Sequence, residues 1–269
     1  MNKPIRKVVI AGGGTAGWMT AALLRKVLPA QINIELVESE QIGIIGVGEA
    51  TIPPIQIFNR FLNLDEQAFL RETHATIKLA IRFENWRKHG EHYYHTFGAP
   101  GANLGFCGFQ HHWLRAHKLG MAGSLWDYDL HYLACEQGGF NKLQSTNPVH
   151  QLAYAYHFDS SLYGQFMRRL AESAGVVRTE GVIEHVQQDA ASGAVTALLL
   201  RGGHVVNGDF FIDCTGLRGL LIRKTLGVEY EDWTHWLPAD SALAVRTDRF
   251  EATLPYTRAI AHKVGWQWR

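Results

Sequence analysis

The stretch Val8-Val9-Ile10-Ala11-Gly12-Gly13-Gly14-Thr15-Ala16-Gly17-Trp18 leaves the chain few ways to fold. An apolar run ends in Gly-x-Gly-x-x-Gly and passes at once into Met19, Ala21, Ala22, Leu23 and Leu24, which favour a helix. That order predicts strand, tight turn and helix, the opening of an α/β dinucleotide-binding fold. Gly12 permits the sharp bend, Gly14 lets a pyrophosphate approach bare backbone, and Gly17 lets helix and strand pack closely. The anion then rests on unpaired N–H groups at the positive end of the helix dipole. Gly13, Thr15 and Ala16 complete this candidate cofactor loop. Asn33-Ile34-Glu35-Leu36-Val37-Glu38 reads as a second strand, with Glu38 at its end to hold a ribose hydroxyl pair and Ser39 next to it. An acidic residue there disfavours a 2′-phosphate, so the pattern points to NAD or FAD without separating them.

Composition removes other classes. With 46% hydrophobic and 19% charged residues among 269, the chain is an ordinary globular sequence, long enough for one large domain or two small ones. A formal charge of +1 gives no electrostatic case for nucleic acid or an anionic membrane. No apolar run approaches the roughly 18 residues of a membrane helix. Met1 to Lys7 lead straight into the first strand, with no room for a signal peptide. Cys107, Cys135 and Cys214 are odd in number and widely spaced, which suggests neither a disulfide framework nor a zinc site. A cytoplasmic protein is expected.

Ser39 to Pro54 holds Gly43, Gly46, Gly48, Pro53 and Pro54, which exclude a regular helix or a central strand. Its Ile and Val content is too apolar for disorder, so an ordered strap is expected. Here a resemblance becomes specific. Gly12 to Trp18, together with Gly46-Val47-Gly48-Glu49-Ala50-Thr51-Ile52-Pro53, is similar to the flavin-dependent halogenases of the tryptophan-halogenase type. The resemblance implies that the first segment binds FAD. It implies that the second, through Gly48, Glu49 and Ala50, touches FAD on one side and communicates with a substrate chamber on the other.

Ile55–Leu62 and Glu66–Arg71 read as short helices, separated by the cap-like Asn63 and Asp65. Ile77 to Glu84 then alternates strictly, with Ile77, Leu79, Ile81 and Phe83 on one side and Lys78, Ala80, Arg82 and Glu84 on the other. By itself the alternation puts Lys78 on a solvated face. The resemblance implies otherwise, because the family's catalytic lysine lies a few residues before an Asn-Trp pair, matched here by Asn85-Trp86. The implied activity is halogenation of an aromatic substrate, tryptophan or another indole. A flavin hydroperoxide reacts with chloride or bromide, and Lys78 relays the hypohalous acid. A flavin reductase is implied as the source of reduced FAD. Lysine suits the task as a hydrogen-bond donor or as a halogen carrier, held in a dry tunnel with burial free to lower its pKa.

His95 and Phe97 lie two apart, so in an extended segment they face the same side. The resemblance implies that they stack on the substrate's ring; on their own they read equally as core aromatics under a loop. Ten of the fourteen histidines fall between His74 and His157, and His92-x-x-His95 and His111-His112 have ligand spacings. No cysteine or carboxylate stands at a fitting offset, so no metal is expected. Residues 98–150, rich in Gly, Trp and Tyr with a helix near Trp113–Leu119, read as an insertion covering the substrate within one domain spanning 1–269.

Gln151–Phe158 reads as a strand, and Asp159 or Ser160 caps a helix from Leu162 to Ala174 that Gly175 ends. The family carries a stretch similar to Tyr156-His157-Phe158-Asp159 at this place. Val176–Thr179 and Val182–Gln187 read as strands, with Val182 where two-dinucleotide-fold flavoproteins usually contact adenine. Val195–Leu200 and His204–Asn207 suit a hairpin about Gly202-Gly203. Asp209–Gly216 reads as a buried strand that ends in a glycine turn and returns to the glycine loop. The run Asp213-Cys214-Thr215-Gly216-Leu217-Arg218-Gly219 is similar to the family's Asp-Cys-Thr-Gly-x-Arg-Gly element. Asp213 is therefore a candidate cofactor residue, although by turn preference alone it caps a turn. Trp266-Gln267-Trp268 matches the start of the family's Trp-x-Trp-x-Ile-Pro signature, and the Ile-Pro does not follow. The resemblance thus implies the amino-terminal part of a monooxygenase-like FAD-binding fold, truncated at its C-terminus. The family's catalytic glutamate and halide pocket would lie outside it. A flavin-dependent aromatic monooxygenase and a non-catalytic FAD-binding remnant are the alternatives.

Overall fold

A computed structural model describes residues 4–42, 48–142, 147, 151–245, 247–248 and 252–269. In chain order its elements begin β1 (Lys7–Ala11), α1 (Thr15–Val27), β2 (Asn33–Glu38), β3 (Gly48–Ala50), α2 (Pro54–Phe61), α3 (Glu66–Glu72), β4 (Thr76–Lys78), β5 (Ala80–Glu84) and β6 (His92–Thr96). Then come α4 (Phe109–Lys118), α5 (Leu130–Glu136), β7 (Ala155–Asp159), α6 (Ser160–Ser173), β8 (Val177–Glu180), β9 (Ile183–Gln188), β10 (Val195–Leu200), β11 (Val205–Asn207), β12 (Phe210–Asp213), β13 (Tyr256–His262) and β14 (Gly265–Trp268). Backbone contacts divide the chain into two units: Met1–Val47, Leu62–His74 and Asp159–Ser241, and Gly48–Phe61, Ala75–Phe158 and Ala242–Arg269. Gly43, Gly46 and Val47 of the strap lie outside the described residues, as do 143–146 and 148–150 of the expected insertion. Among the described residues no helix is long and apolar enough to cross a membrane.

The first unit is built on a parallel sheet in the order β12-β1-β2-β8. β1 lies inside the sheet, and Val9, Ile10 and Ala11 are fully buried, which is why this segment is a continuous apolar run. On one side, Val9, Ala11 and Val37 share a core with Val186, Leu198, Leu200 and Val206 of the antiparallel sheet β11-β10-β9. α1 packs against α6. The buried face of α6 recurs at helical spacing, as Ser160, Tyr163, Gly164, Met167 and Ala171. Asp159 caps that helix, accepting from the N–H groups of Ser161 and Leu162 at 2.8 and 3.0 Å, and Gly175 ends it at φ +99°. The strand expected to be buried, β12, is instead partly exposed, with Phe210 half exposed, and lies at the edge of its sheet among the described residues.

The glycine turn is tight. Gly12 has φ +106°, and a Cβ there would lie 2.3 Å from the carbonyl oxygen of Cys214. A Cβ on Gly17 would lie 1.9 Å from the carbonyl oxygen of Gly12, so helix and turn meet at backbone contact.

In the second unit the expected strand Ile77–Glu84 is two strands, and the reading of Lys78 as solvated is corrected. β4 pairs antiparallel with β7, Lys78 opposite Ala155, in the sheet β3-β7-β4. β5 pairs parallel with β13 and antiparallel with β6, in the sheet β14-β13-β5-β6. The chain changes sheets at Leu79, whose N–H donates to the Pro255 carbonyl at 2.7 Å and whose carbonyl accepts from Phe97 N–H at 2.9 Å. Lys78, Leu79 and Ala80 are all buried. Alternation predicts one wet face only where a strand has one open side, and here both sides are covered. The strand expected from Gln151 begins only at Ala155. Residues 98–150 fall within this unit, and α4 starts earlier than the expected helix.

Gly17→Ala is expected to lower the unfolding free energy by about 3 kcal/mol, because backbone cannot yield to the new methyl. Gly14, with nothing within 4 Å of its Cβ position, is the control. Gly14→Ala should stay within about 1 kcal/mol of the parent, the cost of alanine at a helix N-cap. Urea unfolding of both variants checks this, and equal losses would refute the assigned contact.

Candidate functional site

In the first unit the candidate residues gather at the C-terminal ends of β1 and β2. Gly14 is the N-cap of α1 in extended conformation, with no side chain capping the helix and no acidic residue in its first turn. The amides that open α1 are therefore presented beside an uncovered Cα, the arrangement an anionic diphosphate requires. Gly13 has a different task. A Cβ there would fall 1.5 Å from Glu38 Oε2, so only a glycine lets the Glu38 carboxylate lie across the loop. That carboxylate is fixed from three elements. Trp18 Nε1 of α1 donates at 3.3 Å, Arg178 Nε of β8 at 2.6 Å, and Arg168 of α6 stands at 3.6 Å. Arg178 is shared with Glu40 and Glu180, and Arg168 also lies over the Trp18 ring. Ser39 Oγ accepts from Gln41 N–H at 3.2 Å, and the Val182 carbonyl accepts from Arg201 N–H at 2.8 Å.

Asp213 is fully engaged by its own segment. Its oxygens accept from Thr215 N–H and Oγ1 and from the N–H groups of Leu221 and Ile222, at 2.6–3.0 Å. Burial works to raise this carboxyl, but the donors outweigh it and the group lies below the usual carboxylate range. Asp213 thus shapes the turn that brings the Cys214 carbonyl against Gly12.

In the second unit the central feature is Lys78, only 2% exposed. Its Nζ stands 5.4 Å from the centre of the Phe97 ring, and among the described residues no carboxylate pairs with it. Burial brings the amine down to about 8. His157 of β7 bonds through Nε2 to Thr257 Oγ1 of β13 at 2.8 Å. Burial, and after it the charge of Lys78, push this imidazole down to about 4. Lys78 and Phe97 are brought together; His95, two residues earlier, is exposed. Gly48, Glu49 and Ala50 form β3, all exposed. The strap is fastened to β7 just beyond them: Thr51 N–H donates to the Tyr156 carbonyl at 2.9 Å, and Thr51 Oγ1 accepts from Tyr156 N–H at 3.0 Å. Sequence reasoning missed His157 and Thr257. The Tyr-His-Phe-Asp stretch was visible, but nothing local says which strand it pairs with. Among the described residues no group of three or more His, Cys, Asp or Glu could hold a metal ion.

A family model described as tryptophan halogenase matches residues 7–269. The chain is 36% identical over 287 residues to tryptophan 7-halogenase RebH of Lentzea aerocolonigenes, covering 100% of this chain and 54% of that protein. Among solved structures it is similar to Xcc4156, a flavin-dependent halogenase from Xanthomonas campestris, at 51% identity and a TM-score of 0.93, covering 99% of this chain and 53% of that one. BrvH, a flavin-dependent halogenase from Brevundimonas sp. BAL3, gives 40% identity and a TM-score of 0.88, with 98% and 54% covered. The chain spans about half the length of the curated relatives it matches.

Replacing the buried amine has a pH signature. Below pH 8 the folded chain holds a charged amine away from water, so Lys78→Met is expected to be the more stable protein at pH 7, by on the order of 1 kcal/mol. Between about 8 and the ordinary lysine value of 10.5 the unfolded chain binds the extra proton. Parent stability then rises with pH and the gap closes. Urea unfolding across that range checks it; a gap independent of pH would refute it.

Proposed function

Since the chain belongs to the tryptophan halogenase family, we propose that the protein halogenates an aromatic substrate, tryptophan or another indole, with FAD as cofactor and chloride or bromide as halogen source. The observation that carries this reading is Lys78, an amine only 2% exposed with its Nζ 5.4 Å from the centre of the Phe97 ring. The glycine loop fits a dinucleotide: the backbone from Gly12 to Gly17 would take the diphosphate and Glu38 the ribose, with Ser39, Val182 and Asp213 in supporting places. Gly48, Glu49 and Ala50 are proposed as the strap's flavin contacts. Reduced FAD, supplied by a flavin reductase, would furnish hypohalous acid from dioxygen and halide.

The chain's own part is to aim that acid. With the amine at about 8, roughly a tenth of Lys78 is neutral at pH 7, so its main form is a donor. The ammonium donates a hydrogen bond to the oxygen of the acid and leaves the halogen pointing outward, and a water-poor surrounding keeps the acid from leaking away. Phe97 and His95 are proposed to present flat rings to the substrate, which gives stacking at little cost in side-chain entropy.

The test is product analysis after incubating the protein with reduced FAD, oxygen, halide and tryptophan or indole. A halogenated ring is expected. A hydroxylated product with no halogenated one would overturn the reading in favour of a monooxygenase, and no uptake of yellow cofactor would overturn it altogether. Lys78→Ala should lower halogenation at least about 100-fold, the scale of a lost proton donor, while peroxide formation from reduced FAD continues. Retained halogenation would remove Lys78 from the role.

A further inference from the structure

Glu38 turns its two carboxylate oxygens to different neighbours. Oε1 faces the arginines: Arg178 Nε of β8 donates to it at 2.6 Å, and Arg168 of α6 stands 3.6 Å away. Oε2 lies over the glycine loop, where a Cβ of Gly13 would sit, and accepts from the indole N–H of Trp18 at 3.3 Å. A carboxylate oxygen has two acceptor positions, so the indole leaves Oε2 a second one. We propose that Arg178 and Trp18 are positioning residues for the ribose of the bound dinucleotide. They hold Glu38 in the orientation that presents Oε2 to a ribose hydroxyl, and so set the preference of this site for an intact diol. This rests on the role given to Glu38 above.

Each group that holds Glu38 is itself tied at a second point. The Arg178 and Glu38 side chains are 15% and 14% exposed, so their charges meet where water and salt screen them little. Arg178 is also bonded by Glu180 and Glu40, and the Glu40 N–H donates to Glu180 Oε1 at 3.0 Å, so the guanidinium does not follow the carboxylate if it turns. The backbone is fastened as well, with Glu38 opposite Glu180 in the β2–β8 register and the Gly181 N–H donating to the Glu38 carbonyl at 2.8 Å. Trp18 is buried, with Arg168 over its ring, and Arg168 is held in turn by Glu172 at 3.1 Å. A hydroxyl gains most from an acceptor already in place, because ordering a loose side chain on binding gives back part of the gain. Two oxygens with separate duties meet that condition: one is spent on anchorage, the other is offered to the ligand.

The experiment measures, by calorimetry on the whole protein, the affinity for ADP and for 2′,3′-dideoxy-ADP. The two ligands share adenine and diphosphate and differ only in the ribose hydroxyls, so the ratio of their affinities isolates the hydroxyl contact. In the parent, ADP is expected to bind at least about tenfold tighter, the worth of a hydrogen bond to a charged acceptor. Arg178→Met and Trp18→Phe are each expected to cut that ratio by about threefold or more, the cost of leaving the carboxylate to be ordered by the ligand. The loss should fall on ADP, with dideoxy-ADP nearly unaffected. Cooperative urea unfolding checks that each variant is folded. Should Arg178→Met not fold, Trp18→Phe decides, since phenylalanine keeps an aromatic ring in the core and removes the donor. An unchanged ratio overturns the proposal. So do equal losses for both ligands, the mark of merely structural residues. A parent with no preference between the ligands overturns it together with the placing of Glu38 on the ribose. The measurement needs neither flavin nor turnover, so a protein that discriminates the ribose but never halogenates would sink the proposed activity and leave this inference standing.

Discussion

Leu79 is where the second unit is decided. Its N–H donates to the Pro255 carbonyl just before β13, and its carbonyl accepts from Phe97 N–H just after β6, so its backbone is bound to the sheet that β5 enters. The residues on either side are then committed to different neighbours. This handover carries Lys78 into the interior on a strand only three residues long, and brings Phe97 to its amine. A long regular strand would have had one face to spare for water. The short strand ending in a sheet change has none, and a lysine at its end is desolvated by the same backbone hydrogen bonds that fold the unit.

The glycine loop of the first unit works on the same physical theme, close approach of backbone, with opposite result. At Gly12 and Gly17 the chain is packed so closely that a methyl group has no place. At Gly14, two residues from one and three from the other, the Cα is uncovered. Rigidity at the flanks is what keeps that opening from collapsing. Glu38 adds to it, because a carboxylate held by Trp18, Arg178 and Arg168 together cannot swing over the helix N-terminus and neutralise it.

The legible parts of the chain were those whose signal is local. The glycine spacing, the caps Asp65 and Asp159, and the hairpin at Gly202-Gly203 each act on residues within a few positions, and each stands where the sequence put it. Alternation from Ile77 to Glu84 was equally clear but undetermined, since a period of two describes one strand or two end to end. Whether Lys78 is wet or dry depends on β7, which is distant in sequence, and periodicity carries no information about pairing across that distance. The resemblance supplied what the pattern lacked for Lys78. For His157 it marked a stretch without saying what the ring is for, and for β12 apolar content suggested a buried strand where the strand is partly exposed.

The choice of residue at position 78 is itself informative. Arginine in that place would stay charged at any working pH. Histidine under the same burial would be neutral, as His157 is. A lysine brought to about 8 is the one side chain here that is mostly a cation at neutral pH yet close enough to its titration point to release a proton when a neighbouring oxygen demands one. Desolvation sets that balance.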